Sequence, residues 1–224
     1  MKNVLVTGAN GSLGRAVAEK FLNENCHVIG IDRELPENIQ FENRNPEHHA
    51  VDLLKEENVR EFLGKIYREH NRIDVAIFTA GGFAMGDLEE SSGAAMTEQY
   101  ELNFLTAFHP ARQIFLKMKE KNYGRIFLIG SRPGHNVKNG TKMIAYALSK
   151  SLLFRFAEIL NDEGSKHNVV TTMIVPGTID TPANRKSMPD ADTSAWVKPQ
   201  EIANIIHWHT TTEADKIHSP VIML

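Results

Sequence analysis

Three glycines constrain this chain more than any other feature. The first apolar run, Val4-Leu5-Val6, leads directly into Thr7-Gly8-Ala9-Asn10-Gly11-Ser12-Leu13-Gly14. An amphipathic stretch follows, with Leu13, Val17 and Phe21 at a four-residue period. Glycines between a strand and a helix let the backbone turn sharply and come close to a pyrophosphate. The helix beyond then offers free N–H groups and the positive end of its dipole to the anion. Glycine-rich turns also arise for structural reasons alone, but the place of this one directly after the first strand favours the dinucleotide reading. Gly8, Asn10, Gly11, Ser12, Leu13 and Gly14 are therefore the first cofactor-binding candidates.

The rest of the chain repeats that strand–helix alternation. Short β-branched or apolar runs lie at Val28–Ile31, His49–Val51, Val75–Phe78, Ile126–Ile129, Val169–Val175 and Val221–Leu224. Several are apolar at consecutive positions, as strands covered on both faces of a parallel sheet must be. Between them lie helical patterns: Val59, Phe62, Leu63 and Ile66; a long stretch from Ala94 to Lys119; and Ile144 to Leu160. The alternation predicts an α/β, Rossmann-like, doubly wound and mainly parallel seven-stranded sheet with helices on both faces. No repeat or Pro/Gly-rich linker divides residues 1–224, so one domain is expected.

The second strand ends at Asp32, where an acidic side chain can bind the adenosine ribose hydroxyls and repel a 2′-phosphate. This favours NAD(H). Arg33, next in the chain, keeps NADP(H) open as the alternative, because a guanidinium there can hold that phosphate. Composition removes other classes of partner. With a formal net charge of -3 there is no basic footprint for nucleic acid. No apolar run reaches the length of a membrane span, and the run before Thr7 is too short for a signal peptide, so no membrane partner and a cytoplasmic location are expected. The single cysteine, Cys26, fits a reducing compartment. Ten histidines raise the question of a metal. His48 and His49 are adjacent, and His207 and His209 two apart, so neither pair shares a helix face. With no ligand spacing in view, scattered solvated histidines and no metal site are expected.

The catalytic pieces lie downstream. "AYALSK" places Tyr146 and Lys150 one helical turn apart on one face. A phenol titrates near 10, and bringing it to neutrality requires about 4 kcal/mol. A cation about 4 Å away at an effective dielectric of about 20 supplies roughly that much, so Lys150 is expected to lower the Tyr146 pKa. Asn103 stands inside the long helical stretch, Ser131 follows the strand "RIFLIG", and Pro176-Gly177 closes the next strand in "VPGTIDTP".

In this order, with "TAGG" at 79–82, the chain resembles the short-chain dehydrogenase/reductase family over essentially its whole length. The glycine spacing looks like that of the family's long, sugar-nucleotide-modifying branch. Only 78 residues follow Tyr146, however, so the compact branch is the better match. Within it, "AGGFAMG" and "ANRKSMPDADTSAWVKPQEIA" look like dihydropteridine reductases, although those generally lack the serine that this chain carries as Ser131. The resemblance implies that Tyr146 is the general acid–base and that Ser131 donates to the substrate oxygen. It implies that Lys150 holds the nicotinamide ribose and that Asn103 holds a water on the proton path. It adds Asp52 as a contact to adenine, with a helix cap the equal alternative, and Ala80, Gly81, Gly82, Pro176, Gly177, Thr178 and Thr181 along the cofactor. The substrate is expected to be a quinonoid dihydropterin or a small carbonyl compound. Residues 182–197 read as a mobile flap, Phe83 and Met85 as pocket walls or core, and Arg132 and His135 as solvent-exposed. Relatives pair the long helices around Asn103 and Tyr146, so a homodimer or homotetramer is expected. The alternative from another class is a catalytically silent dinucleotide sensor.

Overall fold

The computed structural model describes residues 1–35, 41, 44–136, 138, 140–217 and 220–224. Seven strands form one sheet in the order β3-β2-β1-β4-β5-β6-β7. They are β1 (Asn3–Thr7), β2 (His27–Asp32), β3 (Glu47–Ala50), β4 (Val75–Phe78), β5 (Gly124–Ile129), β6 (Val169–Val175) and β7 (Val221–Met223). Every pairing is parallel. The chain winds outward from β1 in both directions, so the crevice between the β1 and β4 ends is the switch point where such sheets bind ligands.

Alternation along the strands divides the core in two. Leu5, Ile29, Ala76, Ile126 and Leu128 face helices α2 (Glu56–His70), α4 (Thr106–Lys121) and α6 (Ile144–Gly164). Val4, Val6, Val28, Ile77 and Phe127 face α1 (Ser12–Asn23) and α8 (Pro199–Trp208). Each fully buried Leu, Ile or Phe in these layers contributes about 1.5–3 kcal/mol by leaving water. Four helix-to-strand turns close on asparagine in the left-handed conformation: Asn25, Asn71, Asn122 and Asn168, with φ of 57°, 63°, 53° and 50°. Asparagine tolerates that region and so takes the place that glycine usually fills after a helix.

The structure departs from the sequence reading in two elements. The third strand is Glu47–Ala50, not 49–51, and its residues are polar because it is the exposed edge, where charge discourages sheet-to-sheet pairing. The long stretch from Ala94 to Lys119 is not one α-helix. It is α3 (Gly93–Tyr100), a π-helical turn at Glu101–Leu105, and α4. Two short helices, α5 (Arg132–His135) and α7 (Pro182–Ser187), complete the set named here. Among the described residues no helix is long and apolar enough to cross a membrane.

Candidate active site

The carboxyl ends of the strands collect the chemistry-bearing residues. The glycine loop follows β1, Asp32 ends β2, Asp52 lies just past β3, residues 79–82 follow β4, Ser131 follows β5 and Pro176 follows β6. Gly8 adopts φ +65°, and its amide donates to the Ile31 carbonyl at 2.7 Å. A Cβ on Gly14 would stand 2.0 Å from the Gly8 oxygen, so only glycine lets α1 rise this close to the loop. Gly11 is the N-cap of α1 and brings no capping side chain, which leaves the first-turn N–H groups for a ligand. Asn10 Oδ1 is buried without a hydrogen-bond partner. An orphaned acceptor beside uncapped amides fits a dinucleotide, whose pyrophosphate and hydroxyls complement both.

Asp32 accepts from the Asn10 amide at 3.1 Å through Oδ2. Arg33 beside it is exposed. His48, which sequence reasoning treated as solvated, lies with Nε2 3.4 Å from Asp32 Oδ2 and is buried there without a hydrogen bond. Gly30 makes this approach possible, because a Cβ on it would stand 2.8 Å from His48 Nε2. Neither residue carried a signal in the sequence, since their contact depends on strand register. Asp52 does not cap α2: Lys55 is the N-cap, and Asp52 instead accepts from the Leu54 amide at 3.1 Å and pairs with Lys55.

Lys150 is buried on α6, and its ammonium donates to the Ile129 carbonyl at 2.9 Å. Burial pulls its pKa down to about 8. Two glycines give it room. A Cβ on Gly81 would come within 3.3 Å of Lys150 Nζ, and one on Gly134 would meet Lys150 Cβ at 2.7 Å. The importance of Gly134 was not legible, because it depends on how α5 packs against α6.

The expected electrostatics of Tyr146 are not those of the free protein. Burial pushes its phenol up, with a hydrogen bond from Ser131 opposing, and the Lys150 ammonium does not enter. The physical reason lies in Lys150, which turns its charge to the end of β5. Ser131 serves twice, since its Oγ also accepts from the Gly134 amide at 3.1 Å and so caps α5. Asn103 is buried in the π-helical turn, a distortion that often accompanies functional residues. Its Oδ1 accepts from the Gly82 amide at 3.0 Å, while Nδ2 donates to Gln99 Oε1 at 3.0 Å and Ser149 Oγ at 3.2 Å. Its side chain thereby ties the 79–82 loop to α3 and α6.

Around the mouth, Phe83 is 59% exposed and meets the Tyr146 ring edge-on, with centroids 5.0 Å apart; Met85 is exposed beside it in sequence. Neither belongs to the core, and of the two Phe83 contacts Tyr146. Arg132 and His135 are exposed, and Arg132 reaches the Leu224 carbonyl at 2.8 Å. Within residues 182–197, α7 is capped by Thr181 Oγ1 and flanked by a bidentate Arg185–Asp180 pair. Thr178 accepts from the Val197 amide at 2.9 Å.

A model of the short chain dehydrogenase family matches residues 2–192, and the chain belongs to that family. It is similar to dihydropteridine reductase of Dictyostelium discoideum, 28% identical over 219 residues that cover 95% of this chain and 90% of the relative. Ligand-free aldohexose dehydrogenase of Thermoplasma acidophilum superposes with TM-score 0.87 at 22% identity, covering 100% of this chain and 92% of that one. An NAD+-bound xylitol dehydrogenase gives TM-score 0.86 at 20% identity, over 100% and 96% of the two chains. The chain is thus an oxidoreductase of a family that binds NAD(P).

Proposed function

We infer that this enzyme reduces a quinonoid dihydropterin, or failing that a small carbonyl compound, at the expense of NADH. The observation that carries the reading is the convergence of Ser131, Tyr146 and Lys150 beside the glycine loop, at the one end of the sheet where the uncapped α1 amides also point. The cofactor supplies a hydride. Tyr146, kept protonated by burial, is loaded to give its proton to the substrate nitrogen or oxygen as that atom gains electrons. Ser131 donates to the same substrate atom, and Lys150 turns from the Ile129 carbonyl to hold ribose hydroxyls. Asn103, with its amide committed to Gly82, Gln99 and Ser149, acts as a positioning residue that holds the loop rather than the substrate.

Similarity to dihydropteridine reductase over nearly the whole chain supports the pterin, as does Phe83, an exposed aromatic face against Tyr146 on which a flat ring can stack. Asp32, already accepting from the loop amide, supports NADH over NADPH. The exposed apolar residues Tyr100, Leu116, Leu148, Leu152 and Ile159 on α3, α4 and α6 support a homodimer or homotetramer through these helices. Steady-state NADH oxidation against quinonoid dihydropterin and a panel of carbonyls and quinones tests the reading. Turnover is expected with the pterin and at least tenfold less with NADPH. Cofactor binding without turnover on any substrate would overturn it in favour of a silent sensor.

A further inference from the structure

The sheet's outer edge, at the amino ends of its strands and away from the dinucleotide loop, gathers three imidazoles around one carboxylate. Glu47 opens β3 opposite Ile29 of β2, so it shares a face with His27 two residues earlier. His49, two residues on in β3, shares that face as well. His70, the last residue of α2, completes the group from above the sheet. His27 Nε2 lies 2.8 Å and His70 Nε2 2.9 Å from the same carboxylate atom, Glu47 Oε2. His49 Nε2 takes the other oxygen, Oε1, at 2.7 Å. The His27 and His70 rings stand side by side, centroids 4.6 Å apart and tilted by 33°.

His70 Nε2 is buried and makes no hydrogen bond, although it nearly touches a carboxylate oxygen. The geometry for a hydrogen bond between them is lacking. A cation held by both atoms would engage the imidazole nitrogen and the carboxylate oxygen together. One donor atom from each of His27, Glu47 and His70 falls within 4.8 Å of the other two. In a tetrahedral zinc site, Zn–N and Zn–O bonds near 2.0–2.2 Å separate the donors by about 3.3 Å, so the present spacing needs only a small opening.

The geometry points to a divalent d-block cation site, suited to zinc, built by His27, Glu47 and His70 and oriented by His49. His49 donates to Glu47 Oε1, as outer partners do when they aim ligating groups, while Oε2 accepts from His27 in the metal-free protein, a proton that the metal would replace. Two imidazoles and one carboxylate leave at least one position to water, and imidazole donors favour zinc, copper or nickel over magnesium or calcium. Bound there, the ion ties the start of β2, the start of the edge strand β3 and the end of α2. It is a staple of the sheet edge, and it stands independently of the substrate reading. Sequence spacing argued against any metal because the ligands come from three elements that only the fold brings together.

The test uses the full-length protein stripped with a chelator and titrated with zinc chloride by calorimetry. One equivalent is expected to bind. At about a hundredfold excess over its dissociation constant, zinc should raise Tm by roughly 5–10 °C. Cobalt(II) should give the visible bands of a low-coordinate N/O site. His27→Gln, Glu47→Gln and His70→Gln are each expected to weaken binding a hundredfold or more. His49→Gln should weaken it about tenfold with stoichiometry kept, and His167→Gln should leave it unchanged. His70 sits at a helix end, so if the strand variants fail to fold by circular dichroism, His70→Gln decides. Absence of saturable zinc binding in the parent, or parental affinity in His70→Gln, overturns the site.

Discussion

The two ends of the sheet collect polar residues in different ways. At the carboxyl ends the candidate groups come in locally spaced sets: glycines three apart, a tyrosine and a lysine four apart on one helix, a serine two residues past its strand. At the amino-end edge, His27, Glu47 and His70 meet across three elements and 43 residues of chain. Local spacing fixes geometry once the element is known, so the first kind of site is legible before any fold is. The second kind depends on register and on where a helix ends. In energy the two ends are alike, since the edge also leaves one polar atom, His70 Nε2, buried without a hydrogen bond. The carboxyl end keeps a buried ammonium and an orphaned amide oxygen, both costly unless a ligand completes them.

The sharpest way to break the comparison is to remove the group on which the carboxyl end turns. Tyr146→Phe deletes one oxygen and keeps the ring that packs against Phe83. Turnover should fall about a thousandfold, equivalent to about 4 kcal/mol in barrier, while the NADH dissociation constant stays within about threefold. Stopped-flow reduction and fluorescence titration separate the two. Parental turnover would mean that the proton comes from elsewhere.

The next effect concerns Lys150. Its folded pKa, about 8, is below the ordinary value of 10.5, so the unfolded chain binds more protons between those two pH values. Stability therefore rises with pH across that window, and below about pH 8 the burial penalty is present in full. A shift of this size corresponds to about 3 kcal/mol. Lys150→Met should be inactive, and its stability relative to the parent should be greatest near pH 7. Urea titrations from pH 7 to 11 should show that advantage shrinking by about 3 kcal/mol. A constant difference would mean that the ammonium is not buried as a charge.

A smaller loss is expected where the loop and α1 meet. Gly14→Ala drives a methyl group into the Gly8 carbonyl, and the loop must shift to admit it. About 2 kcal/mol of stability should be lost, and with it at least tenfold in NADH affinity, because the same shift spoils the amide cradle. Thermal unfolding with and without NADH reads both quantities.

How much was legible follows from the same division. Strand count and parallel winding came from the alternation along the chain, the glycine loop and the Tyr146–Lys150 pair from local spacing, and the role of Ser131 from the family resemblance alone. The edge strand was misplaced because Glu47-His48-His49-Ala50 carries no apolar pattern. The periodicity reads as one long helix where Glu101–Leu105 widens into a π turn, since one extra residue barely disturbs it. The expected Lys150 effect on Tyr146 assumed that neighbours on one face point at one another. In fact Lys150 satisfies itself on β5. Gly30 with His48, and Gly134 with Lys150, were invisible because nothing in a sequence says which side chain will lie over a glycine.

The smallest expected effect lies in the turns that carry neither site. Asn122 ends α4 at φ 53°, where its amide bonds back to the Lys119 carbonyl and its side chain meets His167 at 3.1 Å. Alanine there keeps the φ strain and loses the side-chain contact, for a loss of about 1 kcal/mol. Glycine relieves the strain but frees the unfolded chain, and the two nearly cancel. Chemical denaturation should therefore place Asn122→Gly close to the parent and Asn122→Ala below it, with turnover the same in all three. An equal loss in both variants would put the stabilisation in the asparagine side chain and its His167 contact rather than in the left-handed backbone.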